Sequence, residues 1–129
     1  MSTPVKDFMQ QPVYTCSLPC DVGRVRDLMT IKQCHAIPLV DVDSAEEIKL
    51  LGIVTSDDLV GVYDDTVDIQ QVMKAKVLTV SPDTEARAAA ALMLTHRIHH
   101  LVVMDSQKIV GIISSFDFVK LVAAESVLG

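Results

Sequence analysis

The sequence predicts an α+β fold made of two copies of one β-α-β-β-α unit, and the main observation behind this prediction is an internal repeat. Residues 9–17 match residues 73–81 at an offset of 64 positions, and residues 52–60 match residues 111–119 at an offset of 59. The fall from 64 to 59 gives the first copy five extra residues. We place them within residues 42–49, an acidic segment expected to be a longer hairpin loop.

Hydrophobic periodicity indicates the elements of each copy. In the first copy, Val22, Val25, Leu28 and Met29 recur at helical spacing. The equivalent helix of the second copy, residues 85–95, is rich in Ala and Leu, which favour helices. The strands are expected at residues 13–16, 37–41 and 50–54, and at residues 77–80, 101–105 and 109–113. The closing helices are expected at residues 56–62 and 115–125.

A single copy of this unit is marginal by itself, because about 60 residues bury too little apolar surface. Half of the residues are hydrophobic, which is ample for a shared interior. We therefore expect two repeats, residues 1–64 and 65–129, packed sheet to sheet with pseudo-twofold symmetry. A repeat that serves only as a stable scaffold is the alternative.

Composition disfavours several classes of partner. The net charge is −6 and no block of Lys or Arg is present, which argues against nucleic-acid binding. No apolar run is long enough to cross a bilayer, and residues 1–10 lack a signal-peptide core. Cys16, Cys20 and Cys34 are odd in number and form no CxxC pair, which favours a reducing compartment. We expect a cytoplasmic protein without membrane or nucleic-acid partners.

Two segments of the form Gly-hydrophobic-hydrophobic-[Thr/Ser]-x-x-Asp, residues 52–58 and 111–117, occupy matched positions in the repeats. With these motifs, and with residues 37–41 and 79–84, the chain resembles a pair of CBS domains over residues 5–122. The resemblance implies a regulatory module with two clefts that bind adenosine-type ligands: AMP, ADP, ATP or S-adenosylmethionine. It also implies a homodimer and a separate regulated protein, with no obligatory cofactor.

The chemistry of the motifs is compatible with a bound nucleotide. Thr55-x-x-Asp58 and Ser114-x-x-Asp117 come where a strand gives way to a helix, and free N–H groups and the helix dipole attract phosphate there. An aspartate carboxylate accepts hydrogen bonds, so it can take both hydroxyls of a ribose. The same spacing approximates a capping box, in which the side chains only complete the helix start. The two roles can coexist.

In relatives, a cleft combines the motif of one repeat with the starts of the first and second strands of the other. By this resemblance, the first cleft combines Thr55, Asp58, Lys76, Val77, His99 and His100. The second combines Ser114, Asp117, Val13, Tyr14, His35 and Ala36. The first cleft has more donors for phosphate and is ranked as the one more readily occupied. Histidine stands where many relatives have Arg or Lys, which disfavours triphosphates and predicts pH-dependent affinity.

Other functions are weaker fits to the sequence. His96, His99 and His100, with Cys34 and His35, leave a metal-responsive sensor open. Neighbouring Cys34 and His35 lack a third orienting group, which argues against nucleophilic catalysis. No Gly-rich phosphate loop is present. We therefore expect a binding module and not an enzyme, with a protein-interaction module whose clefts stay unoccupied as the alternative.

The last helix is more apolar than one small subunit needs. Phe116, Phe118, Val119, Leu121 and Val122 fall within it. An apolar surface of this kind is typical of a partner interface, and we interpret it as the homodimer contact.

Overall fold

The computed structural model describes residues 2–42 and 48–124, and the chain divides into two compact units. The contiguous unit is residues 14–77, and the discontinuous unit combines residues 1–13 with residues 78–129. Each contains one three-stranded sheet with helices, so the predicted α+β class is confirmed. The units differ from the proposed repeats at both boundaries. Residues 1–13 belong to the unit of the second repeat, and residues 65–77 belong to the unit of the first. The sheet-to-sheet packing and its symmetry stay predictions.

The contiguous unit carries the first sheet. Its elements are β1 (Cys16–Ser17), α1 (Val22–Lys32), β2 (Ala36–Val42) and β3 (Ile48–Thr55). β1 runs parallel to β2, and β2 pairs antiparallel with β3. Asp21 caps α1 by accepting a hydrogen bond from the Arg24 N–H at 2.9 Å. The helix ends at Gln33, which takes the left-handed conformation.

The discontinuous unit repeats this topology. Its elements are β4 (Thr79–Val80), α2 (Ala86–His96), β5 (His100–Asp105), β6 (Lys108–Ser114) and α3 (Ser115–Ala124). β4 runs parallel to β5, and β5 pairs antiparallel with β6. Arg97 ends α2 in the left-handed conformation, as Gln33 does for α1. Ser106 and Gln107 form the tight turn between β5 and β6.

Each unit has its own core of aliphatic side chains. In the contiguous unit, Val22 and Val25 on α1 pack with Ile37 and Val54 on the sheet, and all four are fully buried. The core of the discontinuous unit joins Leu101, Val103 and Ile113 of the sheet with Ala89 and Met93 of α2 and with Val5. Val5 is fully buried, so the N-terminal segment completes this core. The predicted buried stripe of α1 is confirmed at three of its four positions, and Leu28 is half-buried.

Several predicted elements are wrong in their extent. The opening strands, expected at residues 13–16 and 77–80, are two-residue pairings that begin later, at Cys16 and Thr79. The helix expected at residues 56–62 is only one 3₁₀ turn, Ser56–Leu59. Val60, directly after this turn, is already extended with ψ of 126°, and Gly61 after it has φ of 83°. Lys120, a good helix former, takes the position of Gly61 in α3, which continues.

Two predictions extend beyond the described residues. β2 reaches Val42 and β3 begins at Ile48, so most of the segment assigned to the five extra residues lies outside the described ranges. The predicted end of the last helix, residue 125, also lies outside them.

Candidate functional site

The two motif carboxylates fold back onto the last residue of the preceding strand. Asp58 Oδ2 accepts hydrogen bonds from Thr55 N at 2.9 Å and from Thr55 Oγ1 at 3.1 Å. Asp117 Oδ2 accepts from Ser114 N at 2.8 Å and from Ser114 Oγ at 3.1 Å. The capping geometry is thus confirmed. One oxygen of each carboxylate is engaged by the end of its own strand.

A second donor reaches each carboxylate from one of the two matched segments, residues 9–17 and 73–81. Lys74 Nζ forms an ion pair with Asp58 Oδ1. Gln10 Nε2 donates to Asp117 Oδ1 at 3.0 Å and to Oδ2 at 2.9 Å. Neither donor is among the site residues predicted from the sequence. A signal was present, because each residue directly follows a methionine of the matched segments, Met9 or Met73.

Backbone pairing holds these two donors in place. Lys74 and Ile53 exchange both of their N–H···O bonds, each at 2.9 Å. Gln10 donates its N–H to Ile112 O at 2.8 Å, and Ile112 donates back to Gln10 O at 3.2 Å. Each segment is therefore fixed at the strand that leads into the motif, β3 in one unit and β6 in the other.

The glycine of each motif makes this close approach feasible. A Cβ at Gly52 would lie 2.5 Å from Met73 Sδ and 2.9 Å from Lys74 O. A Cβ at Gly111 would overlap the side chain of Met9. Because glycine has no side chain, the segment that carries Met73 or Met9 can lie directly on the strand. The glycine, the paired segment and the carboxylate are thus one structural arrangement.

The two carboxylates differ in their electrostatic surroundings. The Asp58 side chain is 9% exposed, whereas its partner Lys74 is 60% exposed. Burial alone would raise the pKa of Asp58, but the hydrogen bonds from Lys74 and Thr55 outweigh it and lower this pKa below its ordinary value. Asp117 is buried, and its partner Gln10 is a neutral amide. The donor to Asp58 is therefore a charged ammonium, whereas the equivalent donor to Asp117 is uncharged.

The predicted histidines lie beside the motif of their own unit. Ser56 N donates to His35 O at 2.9 Å, and Ser115 N donates to His99 O at 2.9 Å. The ring atom His99 Nδ1 lies 3.4 Å from Ser115 Oγ. In the sheets, Ala36, which follows His35, pairs with Thr55, and His100, which follows His99, pairs with Ser114.

Within the described ranges, the remaining predicted site residues form no hydrogen bond or ion pair with either motif carboxylate. The Lys32 ammonium lies 5.1 Å from the centre of the Tyr14 ring. Lys76 is exposed, whereas Val13 and Val77 are half-buried. The combination of each motif with residues of the other repeat stays a prediction.

Two equivalent grooves lie beside the C-terminal ends of α1 and α2. The first has a volume of about 490 Å³ and is lined by Arg26, Met29, Thr30, Gln33, Cys34, His35, Ser56, Leu59 and Val60. The second has a volume of about 420 Å³ and is lined by Ala90, Met93, Leu94, Arg97, Ile98, His99, Ser115 and Phe118. His35 lines the first groove and His99 the second, whereas neither motif aspartate lines either groove.

The described residues offer no sign of the alternative metal site. Within residues 2–42 and 48–124, no three His, Cys, Asp or Glu side chains are grouped so that they could hold a metal ion. In the same ranges, every helix is too short or too polar to pass through a lipid bilayer.

Comparison with known families decides the relationship of the chain. The model of the CBS domain family matches it twice, at residues 5–65 and 69–124. The chain belongs to the CBS domain family. Both matches include one of the glycine-to-aspartate motifs, so the two CBS domains of the chain each carry the carboxylate described above. The predicted tandem CBS pair is confirmed.

Curated relatives share this CBS region within longer proteins. The chain is 31% identical over 109 residues to inosine-5'-monophosphate dehydrogenase of Methanocaldococcus jannaschii. This alignment covers 84% of the chain and 21% of the relative. It is 33% identical over 113 residues to homoserine O-acetyltransferase of Methanohalophilus mahii, covering 86% of the chain and 23% of the relative. The chain thus spans less than a quarter of either protein.

Solved CBS structures match nearly the whole chain. A protein with CBS domains from Burkholderia ambifaria superimposes with a TM-score of 0.82 at 29% identity, covering 98% of this chain and 96% of the other. The CBS domain pair of protein MJ0100, in complex with 5'-methylthioadenosine and S-adenosylmethionine, gives 0.83 at 26% identity, covering 95% and 98%. The CBS pair is therefore shared over its full length with these structures.

Proposed function

We propose that the chain is a regulatory module that binds an adenine nucleotide or an adenosyl compound through its two motif aspartates. The observation that carries the proposal is the likeness to the CBS pair of MJ0100, whose structure contains two adenosyl ligands. It is supported by the matched positions of Asp58 and Asp117, each poised at the end of a strand. The names of the enzyme relatives do not transfer, because the chain matches so little of them.

Binding of a ribose at these carboxylates would require an exchange of partners. A carboxylate offers about four acceptor positions, and three are taken at Asp58 by Thr55 and Lys74. At Asp117, Ser114 and Gln10 together make four contacts. The two hydroxyls of a ribose would therefore displace Lys74 or Gln10, while the cap to the strand end stays in place.

The closing elements differ in what they offer to a phosphate. At Asp117, α3 runs for ten residues, so its N-terminus carries the partial positive charge of a helix. At Asp58, the one-turn 3₁₀ helix supplies little of this charge. Lysine side chains would instead provide the positive charge there, whereas the sequence-based ranking of this site counted Lys76, His99 and His100 as the donors.

Regulation would follow if ligand binding shifts the pair between two packings, and a separate protein reads the change. A homodimer fits this proposal. Phe116, Val119 and Val122 of α3 are 62%, 59% and 56% exposed, and an apolar surface of this kind is typical of an interface. Light scattering should give twice the mass of the chain, and Phe116→Glu with Val119→Glu should halve it. A monomeric wild-type chain at tens of micromolar would contradict the homodimer.

Thermal melting with a ligand panel tests the proposed function. The panel contains AMP, ADP, ATP, S-adenosylmethionine, 5'-methylthioadenosine and Zn²⁺. A ligand that binds only the folded chain stabilises it by about 2.7 kcal/mol at a hundredfold excess over its Kd. We expect a shift with at least one adenosyl ligand that is lost in the double variant Asp58→Ala, Asp117→Ala. Asp27→Ala, which changes an exposed residue of α1, should keep the shift.

The second candidate function is a protein-interaction module whose clefts stay unoccupied. One observation favours it: both carboxylates are already satisfied by groups of the chain itself. Absence of any shift with millimolar nucleotide or adenosyl compound would favour this candidate. A shift with Zn²⁺ alone would favour a metal-responsive sensor.

A further inference from the structure

We infer that Lys74 and Gln10 determine which charge class of adenosine ligand each motif accepts. The Asp58 motif takes a nucleotide that carries a phosphate, and the Asp117 motif takes an adenosyl compound without one. This inference rests on the proposed function and adds the specificity of its two sites.

The two donors are equivalent in position. They are 64 residues apart, within the matched segments 9–17 and 73–81, and both pair through their backbone with the strand that leads into the motif. Both place their side chain on the motif carboxylate. Position and contact are therefore matched, and the side chains differ mainly in charge, an ammonium at Asp58 and an amide at Asp117.

The consequence appears when a ribose replaces these donors. The Lys74 backbone stays bonded to Ile53, so its displaced ammonium remains close to the ligand that displaced it. A phosphate of the same ligand gives this ammonium a new anionic partner. A ligand without phosphate leaves it to water alone. At Asp117, the displaced Gln10 amide has no charge to give, so a phosphate would meet a buried carboxylate with only the partial positive charge of the α3 N-terminus to offset it.

Neighbouring residues continue the same asymmetry. Lys76, exposed two residues after Lys74, has Pro12 as its equivalent in the first segment. Asp57, also exposed, carries a negative charge that partly offsets the two lysines, and its equivalent is the apolar Phe116. The segment and motif around Asp58 thus combine two ammonium groups with two carboxylates. Those around Asp117 have one carboxylate and neither lysine.

A reciprocal exchange of the two donors tests the inference. AMP and 5'-methylthioadenosine share the adenosine and differ in charge at the 5' position, so their Kd ratio reports charge preference. Titration calorimetry is done on single-site backgrounds. Asp117→Ala leaves the Asp58 motif, and Asp58→Ala leaves the Asp117 motif. We expect the first background to favour AMP and the second to favour 5'-methylthioadenosine.

In the first background, Lys74→Gln should weaken AMP by about two- to fivefold, which is the upper part of the range for one solvent-exposed charge contact, and leave 5'-methylthioadenosine within about twofold. In the second, Gln10→Lys should tighten AMP by a similar factor. The matched control is Lys49→Gln in the first background. It removes the same charge near the far end of β3, about 20 Å from Thr55 at the rise of a strand, and should leave the ratio unchanged.

The outcomes separate the inference from the proposed function. If no adenosyl ligand of the panel binds the wild-type chain at millimolar concentration, the proposed function fails and the inference fails with it. If another ligand of the panel binds but AMP and 5'-methylthioadenosine do not, only the inference is overturned. If both compounds bind but the two exchanges leave the Kd ratios within twofold of their backgrounds, only the inference is overturned. Because Gln10→Lys and Lys74→Gln act in different units, poor folding of one variant leaves the other as a decisive test.

Discussion

Gln10 and Lys74 are 64 residues apart, and each donates a hydrogen bond to the motif aspartate of its own unit. This relationship links three features of the CBS motif. The motif glycine leaves space for the segment that carries Gln10 or Lys74. This segment pairs with the strand, and the side chain of Gln10 or Lys74 donates to the carboxylate. The motif is thus a structural junction as well as a candidate ligand site, and its parts can be tested separately.

Removal of the Asp117 carboxylate should destabilise the chain markedly. Asp117→Ala leaves the Ser114 N–H without its acceptor at a partly buried position. An unsatisfied group of this kind costs about 1–3 kcal/mol. Urea unfolding followed by circular dichroism should show a loss in this range. Asp83→Ala, which breaks an exposed ion pair with Lys6, should change the free energy of unfolding by less than about 1 kcal/mol. Equal effects of both variants would contradict the structural role.

The two motif glycines should differ in how well a second substitution rescues them. Gly52→Ala and Gly111→Ala each force a Cβ into occupied space, and overpacking costs about 1–3 kcal/mol. At Gly111 the nearest atoms belong to the flexible Met9 side chain, so Met9→Ala should recover much of the relative loss. At Gly52 the backbone oxygen of Lys74 also interferes, so Met73→Ala should recover less.

A double-mutant cycle on the free energies of unfolding measures this rescue. The coupling between Gly111→Ala and Met9→Ala should exceed the coupling between Gly52→Ala and Met73→Ala. Equal couplings would show that the close backbone contact at Lys74 has no energetic weight.

Asp58 should contribute to stability in a pH-dependent way. Because its pKa is lower in the folded chain than its ordinary value of 3.8, the unfolded chain binds more protons in acid. The stabilisation is therefore fully present above about pH 5 and is lost as the pH falls through the folded pKa. Urea unfolding at pH 7 and pH 3 should show that Asp58→Asn loses less stability on acidification than the wild type.

The matched control for this measurement is Asp27→Asn, on the exposed face of α1. It should keep the wild-type dependence on pH. If Asp58→Asn follows the wild-type curve as closely as Asp27→Asn does, the ion pair with Lys74 makes no contribution in solution.

The thiols of Cys16 and Cys20 should resist alkylation in the native chain. Both are buried, with their Sγ atoms 2.6 Å apart. Burial and the hydrogen bond with Cys16 raise the pKa of Cys20 to about 12. Since the thiolate is the reactive form, iodoacetamide at pH 8 should label Cys20 at least about a hundredfold more slowly in the native chain than in guanidinium chloride. Mass spectrometry of the labelled peptides gives both rates, and similar rates would contradict a protonated buried thiol.

The sequence could predict the topology because the repeat duplicates every signal. The aliphatic strands around Ile37 and Leu101 and the helical stripe of α1 each identified an element that the structure contains. The wrong helix at residues 56–62 shows where duplication misleads. Equivalence with α3 suggested a helix, but the chain is extended at Val60 and left-handed at Gly61, and local backbone conformation prevailed over the pattern.

The site was harder to predict than the fold. The motif aspartates and their capping role follow from local spacing, since the partners Thr55 and Ser114 are only three residues away. Lys74 and Gln10 reach the carboxylates through pairing with a strand, in the case of Gln10 from 107 residues away. A local pattern carries no information on such pairing, although the shared offset of 64 residues could have directed attention to both.

The discontinuous unit has a consequence for how the chain forms during synthesis. Residues 14–77 contain every strand of one sheet in a single stretch, so all the strands of this sheet are available to one another once that stretch has been synthesised. The core of the other half joins Val5 with β6 and α3, which follow it by more than 100 residues. Because Val5 is translated before these elements, its apolar side chain lacks this part of its core until they have been made.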